Sequence, residues 1–255
     1  MSLWIKICAN TSLADAQLAA QAGVDAVGFV FAHSPRRVTA EEVAKIVPHL
    51  PAALEKIGVF VDAAFEEIAA TVETAGLTGV QLHFDAPAQL PAQLRERFGP
   101  QLRILGVVHF DATQTDGRTG FVSGRGFSRA EDANRNEGAL APAGSFFNPN
   151  VDAILVDSRT ASAVGGTGQA YDWVAARQAI FGAAGQAKLV AAGGLTPENV
   201  AEAIATLHPW GVDVVSGVES APGQKDAAKV REFIQKARAA GIAEDEAGSW
   251  VTEKR

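Results

Sequence analysis

The sequence predicts a single closed (β/α)₈ barrel. Three observations lead there. The chain has 255 residues, close to the roughly 250 typical of one such barrel. It carries eight short β-branched runs, each the length of a fully buried parallel strand. Helical patterns alternate with them, and that alternation is the signature of a parallel α/β architecture. Apolar residues make up 47% and charged residues 20%, which places the chain among ordinary globular proteins able to bury a substantial core.

The eight runs are WIKIC (4–8), AVGFVF (26–31), KIGVFV (56–61), GVQLH (79–83), RILGVVH (103–109), DAILVD (152–157), KLVAA (188–192) and VDVVS (212–216). Among the helices between them, Thr39 and Glu42 fit a capping box ahead of Val43, Ile46, Val47 and Leu50. Asp62 reads as the start of a helix carrying Phe65, Ile68, Ala69 and Val72. Thr196 and Pro197 read as N-cap and first helical residue before Val200, Ile204 and Leu207. Val230, Phe233, Ile234 and Ala237 fall on one helical face. Eight units favour closure over an open doubly wound sheet, and no G-x-G-x-x-G follows the first run to suggest a dinucleotide fold.

Two stretches break the rhythm. Residues 111–150 are rich in Gly, Asn, Ser, Arg and Asp, and read as an extended loop after the fifth strand, with a weak helix at most over Ser128 to Leu140. The barrel is expected over 1–240, with 241–255 as a polar tail, frayed from Glu244.

Lys and Arg number 22 against 29 Asp and Glu, a formal charge of −7. That balance argues against nucleic acid as a partner, which would need a basic face. It leaves room for a small anion. The single cysteine, Cys8, makes no internal disulfide and points to a reducing compartment. The start, MSLWIKICAN, lacks the apolar stretch of a secretion signal. No apolar run reaches the roughly 18 residues of a membrane span. The expectation is a cytoplasmic protein without a membrane partner. No exposed apolar stripe is evident, which points to a monomer. His33, His49, His83, His109 and His208 are scattered without zinc-like spacing, so no metal is expected.

Active sites of such barrels lie at the C-terminal ends of the strands. That rule selects Cys8, Phe31 to Arg37, Asp62, His83, His109, Asp157, Gly193–Gly194 and Ser216 to Glu219. AAGGL (191–195) and VSGVE (215–219) put glycines after the last two runs. Such loops let backbone N–H groups approach a phosphate, although tight turns alone would also use glycine. GGTG (165–168), with Gly166 at its centre, reads either as a lid or as a plain turn. Cys8 is a candidate base or a small buried hydrophobe. Asp157 is a candidate acid, kept protonated if its setting is apolar, or a solvated strand end. One of Arg36 and Arg37 can clamp a carboxylate through two parallel hydrogen bonds. His83 reads as a supporting group rather than a catalyst.

These segments carry a family resemblance. K-I-C at 6–8, G-F-V-F at 28–31, S-P-R at 34–36, G-V-F-V at 58–61 and V-Q-L-H at 80–83 occur in order. V-D-S at 156–158, G-G-T-G at 165–168, A-G-G-L-T-P-E-N-V at 192–200 and S-G-V-E-x-x-P-G-x-K-D at 216–226 come after them. Over residues 4 to about 237, apart from 111–150, the chain resembles the phosphoribosylanthranilate isomerases of tryptophan biosynthesis. The resemblance implies an Amadori rearrangement of an aminoaldose without a cofactor. It implies Cys8 as base and Asp157 as acid, with Arg36 on the anthranilate carboxylate. It places the phosphate on Gly193, Gly194, Ser216 and Gly217. His83 and Gly166 are further substrate-binding candidates by their place after strands. Asp157 is then expected protonated with substrate bound, and Cys8 must reach the thiolate.

The chain departs from the family at Ala9-Asn10, where glycine usually follows the cysteine, and at Phe84, where glycine usually follows VQLH. A related isomerase of histidine biosynthesis is the rival enzyme. Cys8 in place of its usual aspartate argues against it, as do VDAAF (61–65) and HFDAP (83–87), which lack a second phosphate signature. A non-catalytic sugar-phosphate sensor is the rival of another class, disfavoured by the intact acid, base and clamp.

Overall fold

Eight parallel strands close into a barrel. The computed structural model describes residues 2–83, 86–111, 121–123, 148–158, 172–183 and 185–252, with backbone alone at 111, 121–123, 158, 183 and 243–252. The strands are β1 (Trp4–Ile7), β2 (Ala26–Val30), β3 (Glu55–Phe60), β4 (Gly79–Leu82), β5 (Arg103–Asp111), the short β6 (Phe121–Ser123), β7 (Ala153–Ser158), β8 (Leu189–Ala191), β9 (Gly211–Val214), β10 (Glu219–Ala221) and β11 (Gln224–Lys225). The helices are α1 (Leu13–Gln21), α2 (Ala40–Ile46), α3 (Phe65–Ala75), α4 (Leu90–Phe98), α5 (Trp173–Ala179), α6 (Val200–Leu207) and α7 (Ala227–Thr252). The ring runs β1-β2-β3-β4-β5-β7-β8-β9 and returns to β1, with β4–β5 and β1–β9 both paired in parallel.

The period-2 alternation of each strand divides its residues between two cores. Trp4, Ala26, Ile57, Leu105, Val107, Leu155 and Val190 pack together inside the ring. Ile5, Ile7, Val27, Phe29, Ile104 and Val156 belong to the larger cluster between ring and helices. Trp4 stacks on Trp210 with ring centroids 5.3 Å apart. On α7, Val230, Phe233, Ile234 and Ala237 are all buried, as their spacing predicts. Each large apolar side chain so buried stabilises the fold by about 1.5–3 kcal/mol.

Several local expectations need correction. The Thr39–Glu42 capping box forms in full. Asp62 does not cap α3, whose N-cap is Ala64 without a side-chain bond. The regular helix after β8 is counted from Val200, but Thr196 makes the bonds of a cap: its hydroxyl accepts from the Glu198 N–H at 3.2 Å and its carbonyl from the Val200 N–H at 3.1 Å, while its own N–H donates to Asn199 Oδ1 at 2.8 Å. α7 continues to Thr252, through most of the stretch expected to fray from Glu244. The stretch after β5 begins as a hairpin, with His109 opposite Ser123 and Asp111 opposite Phe121. Ser128 to Leu140 lie outside the described residues.

The departure at Ala9-Asn10 has a clear structural consequence. Ala9 has φ +60°, in the left-handed region. Asn10 holds the turn from within: its Nδ2 donates to Ile7 O at 2.8 Å and Gly28 O at 3.2 Å, and its backbone N–H also reaches Gly28 O. The turn therefore persists, but an L-residue there costs about 1–2 kcal/mol. Glycine would remove that cost, offset in part by about 0.4–1 kcal/mol from the greater entropy of the unfolded chain. Ala9→Gly is expected to raise stability by about 0.5–1 kcal/mol, read as a higher urea midpoint. A lower midpoint would show that Asn10 has already relieved the strain.

Candidate active site

The inward residues of the strands form two polar levels above the apolar floor. On β1, Trp4 lies in the floor cluster, Lys6 is buried one level up, and Cys8 follows at the mouth. Lys6 has no exposed surface. Its Nζ donates to Gln81 Oε1 on β4 at 2.8 Å and to Asp213 Oδ1 on β9 at 2.9 Å. Lys6 and Asp213 are also direct register partners. Burial alone would push the Lys6 ammonium down, but Asp213, and then Cys8, hold it above its ordinary value.

Cys8 is 3% exposed. Its backbone N–H donates to Val214 O at 2.9 Å, which fixes the end of β1 against β9. The side chain occupies space that exists because residue 28 is glycine: a Cβ there would lie 2.5 Å from Cys8 Sγ and 3.0 Å from Lys6 Cε. Burial pushes the thiol above its ordinary value, Lys6 pulls it back, and Asp213 adds to the rise.

Arg36, in the loop after β2, is gripped by Glu219 at the start of β10. Its Nε donates to Oε1 at 2.9 Å and Oε2 at 3.1 Å, and its Nη2 donates to Oε2 at 2.7 Å. Glu219 Oε1 also accepts from Lys225 Nζ at 3.2 Å and the Gly223 N–H at 3.2 Å. Burial would raise the Glu219 carboxyl, but the Arg36 hydrogen bonds and Lys225 hold it below the usual carboxylate range. Burial lowers Lys225 despite the nearby carboxylate.

Across the mouth, His83 follows β4 and His109 lies near the end of β5, with their Nε2 atoms 3.3 Å apart. His109 is 3% exposed and is the register partner of Asp157 on β7. Asp157 is half-buried. The last two strands supply the glycine loops. Gly193 and Gly194 have φ +79° and +66°. Gly217 approaches the first loop so closely that a Cβ on it would lie 1.9 Å from Leu195 O. Ser216 opens the tight turn Ser216–Val218.

The structure thus carries Cys8, Arg36, His83, Asp157, Gly193, Gly194, Ser216 and Gly217 at one end of the ring. Gly166 lies outside the described residues. Sequence reasoning missed Lys6, Gln81, Asp213, Lys225 and the partnership of Glu219 with Arg36. The available signal was the strand period: Lys6 stands two residues before Cys8, and Asp213 interrupts an apolar run. Among the described residues no group of three or more His, Cys, Asp and Glu is arranged to hold a metal ion.

The sequence profile of N-(5'phosphoribosyl)anthranilate (PRA) isomerases matches residues 5–117 and 131–236. The chain belongs to that family. An N-(5'-phosphoribosyl)anthranilate isomerase of Pelobacter propionicus is 41% identical over 235 residues, 92% of this chain and 95% of that one. The Geobacter sulfurreducens isomerase is 37% identical over 236 residues, 92% of this chain and 98% of its own. Among solved structures, the phosphoribosyl anthranilate isomerase of Thermotoga maritima superposes with a TM-score of 0.68 at 32% identity, covering 93% of this chain and 99% of that chain. Another, in complex with reduced 1-(o-carboxyphenylamino)-1-deoxyribulose 5-phosphate, gives 0.67 at 29% identity over the same shares. The chain is therefore an aldose–ketose isomerase on a (β/α)₈ barrel.

The contact between the two glycine loops generates a direct test. Gly217→Ala forces a methyl against the Leu195 carbonyl. Overpacking of this kind costs about 1–3 kcal/mol, so the urea midpoint should fall. An unchanged midpoint would mean that the loops part without cost.

Proposed function

We propose that this chain catalyses the Amadori rearrangement of N-(5'-phosphoribosyl)anthranilate to 1-(2-carboxyphenylamino)-1-deoxyribulose 5-phosphate, with Asp157 as the acid and Cys8 as the base. The observation that carries the reading is the placement of both residues at the mouth of a barrel of this family, on β7 and at the end of β1. Asp157 gives its proton to the furanose ring oxygen, and the ring opens to an iminium. The Cys8 thiolate then removes the C2′ proton, leaving an enolamine that tautomerises to the ketone. Proton transfer by positioned groups of this kind contributes about 10²–10⁴-fold each.

The other residues bind. The backbone N–H groups around Gly193, Gly194, Ser216 and Gly217 take the phosphate, favoured by a geometry in which only glycine fits at 217. Arg36 takes the anthranilate carboxylate. Glu219 already occupies its Nε and Nη2, so the carboxylate meets the Nη1 side. His83 and Gly166 complete the substrate contacts. No helix among the described residues is long and apolar enough to cross a membrane. The proposed setting is a monomer in the cytoplasm, with the phosphorylated substrate as its partner.

Burial raises the Cys8 thiol. The thiolate fraction therefore grows with pH, and alkylation of Cys8 by a thiol reagent should speed up as pH rises through and above the ordinary thiol value. An alkylation rate independent of pH from about 5 to 9 would contradict that setting of the thiol. Phosphoribosylanthranilate generated in situ loses its fluorescence as it isomerises. The intact protein should accelerate that decay over a protein-free control, and Cys8→Ser and Asp157→Asn should each slow it by about 10²–10⁴-fold. Full activity in either variant would remove that residue from the mechanism.

A further inference from the structure

Chemistry at Cys8 requires a negative charge in a buried position, and isolated buried charge is strongly disfavoured. The charged groups that act on the thiol are Lys6, Asp213, Lys225 and Arg36. They come from β1, β9, β11 and the loop after β2. Lys225 Nζ donates to Val215 O at 3.3 Å, one residue beyond the carbonyl that holds the Cys8 N–H. Glu219 binds both Arg36 and Lys225. Gln81, the other partner of Lys6, is neutral, and Asp157 stands three strands round the ring on β7.

The set holds three cations, Lys6, Arg36 and Lys225, and two carboxylates, Asp213 and Glu219, with Asp15 Oδ1 accepting from the Lys225 N–H at 3.3 Å. Lys6, Asp213, Glu219 and Lys225 are each at most 8% exposed, so solvent screens their charges poorly. Glu219 is shared between Arg36 and Lys225. Lys6 has two of its three N–H donors on Gln81 and Asp213. A Cβ at Gly28 would touch both Lys6 Cε and Cys8 Sγ, so the ammonium stem and the sulfur border the same point inside the ring.

We propose that Lys6 is a positioning residue whose ammonium, held by Gln81 and Asp213, is the chief countercharge of the Cys8 thiolate. The inference rests on the reading of Cys8 as the base. It makes Lys6 act on the reaction through Cys8 rather than by touching substrate. Arg36 and Lys225 have smaller shares: the Lys6 stem borders the sulfur at Gly28, and Lys225 acts on the thiol less than Lys6 does. The device also places opposite signs on neighbouring strands: Lys6 favours the thiolate and Asp213 opposes it.

Cys8 is the only cysteine of the chain, so thiolate ultraviolet absorbance followed against pH, with Cys8→Ser as the blank, reads this one group without any assay of catalysis. Lys6→Met should move the titration midpoint up by about one pH unit or more. Asp213→Asn, close in shape, should move the midpoint down. Lys225→Met should move it up by less than Lys6→Met does. If Lys6→Met fails to fold, Lys6→Gln, which keeps an N–H donor toward Asp213, should give the same upward shift. Midpoints that stay at the parent value in the folded variants would overturn the inference. A shifted midpoint together with full activity in Cys8→Ser would instead leave the charge coupling intact and remove Cys8 as the base.

Discussion

The ion pair between Lys6 and Asp213 is the interaction on which the rest of the site depends. It joins the first and last strands of the ring at a register pair, 2.9 Å long and almost wholly out of water. Breaking a pair of that kind by removing one partner costs about 3–5 kcal/mol. A hydrophobic pair of similar volume would close the ring at least as well. The choice of charge therefore has its best explanation in what sits directly above it. Cys8 ends the same strand, and the carbonyl that holds its N–H belongs to the strand carrying Asp213. Ring closure and thiol placement are one arrangement.

Glycine provides the space around that arrangement. Gly28 leaves room for the sulfur beside the Lys6 stem, and Gly217 lets the last two strand-end loops touch. Ala9 shows the cost of the opposite choice: the turn after Cys8 keeps a left-handed conformation with a side chain in place, steadied by Asn10. Glu219 adds a second fixed point by fork-to-fork pairing with Arg36, so the guanidinium is oriented before any substrate arrives.

Much of this was legible in the sequence. The eight strands lie within a residue or two of their apolar runs, because each is buried on both faces and its composition says so. Cys8, Asp157 and the glycine pairs were visible because each stands at the C-terminal end of an apolar run, where barrels of this kind place their chemistry. The buried charges were not found, because a lysine inside a short strand looks like a surface residue until the ring is closed and Asp213 appears beside it. Arg36 was read as free to clamp a carboxylate, since nothing in SGVE announces that its glutamate reaches back 183 positions. Asp62 misled because the start of α3 lies two residues further on, at Ala64, where tertiary packing sets it. The helical tail beyond residue 240 was missed because its composition is polar, and a helix can continue without an apolar face where it extends one that has.

A crystal structure of this protein with reduced 1-(o-carboxyphenylamino)-1-deoxyribulose 5-phosphate tests most directly whether the proposed acid, base, carboxylate clamp and phosphate cradle act on one substrate. The phosphate should lie on the backbone around Gly193, Gly194, Ser216 and Gly217, and the ring carboxylate at Arg36 with Glu219 still in place. The ribulose carbons should lie between Cys8 and Asp157. A phosphate bound elsewhere, or sugar carbons out of reach of either residue, would contradict the proposal.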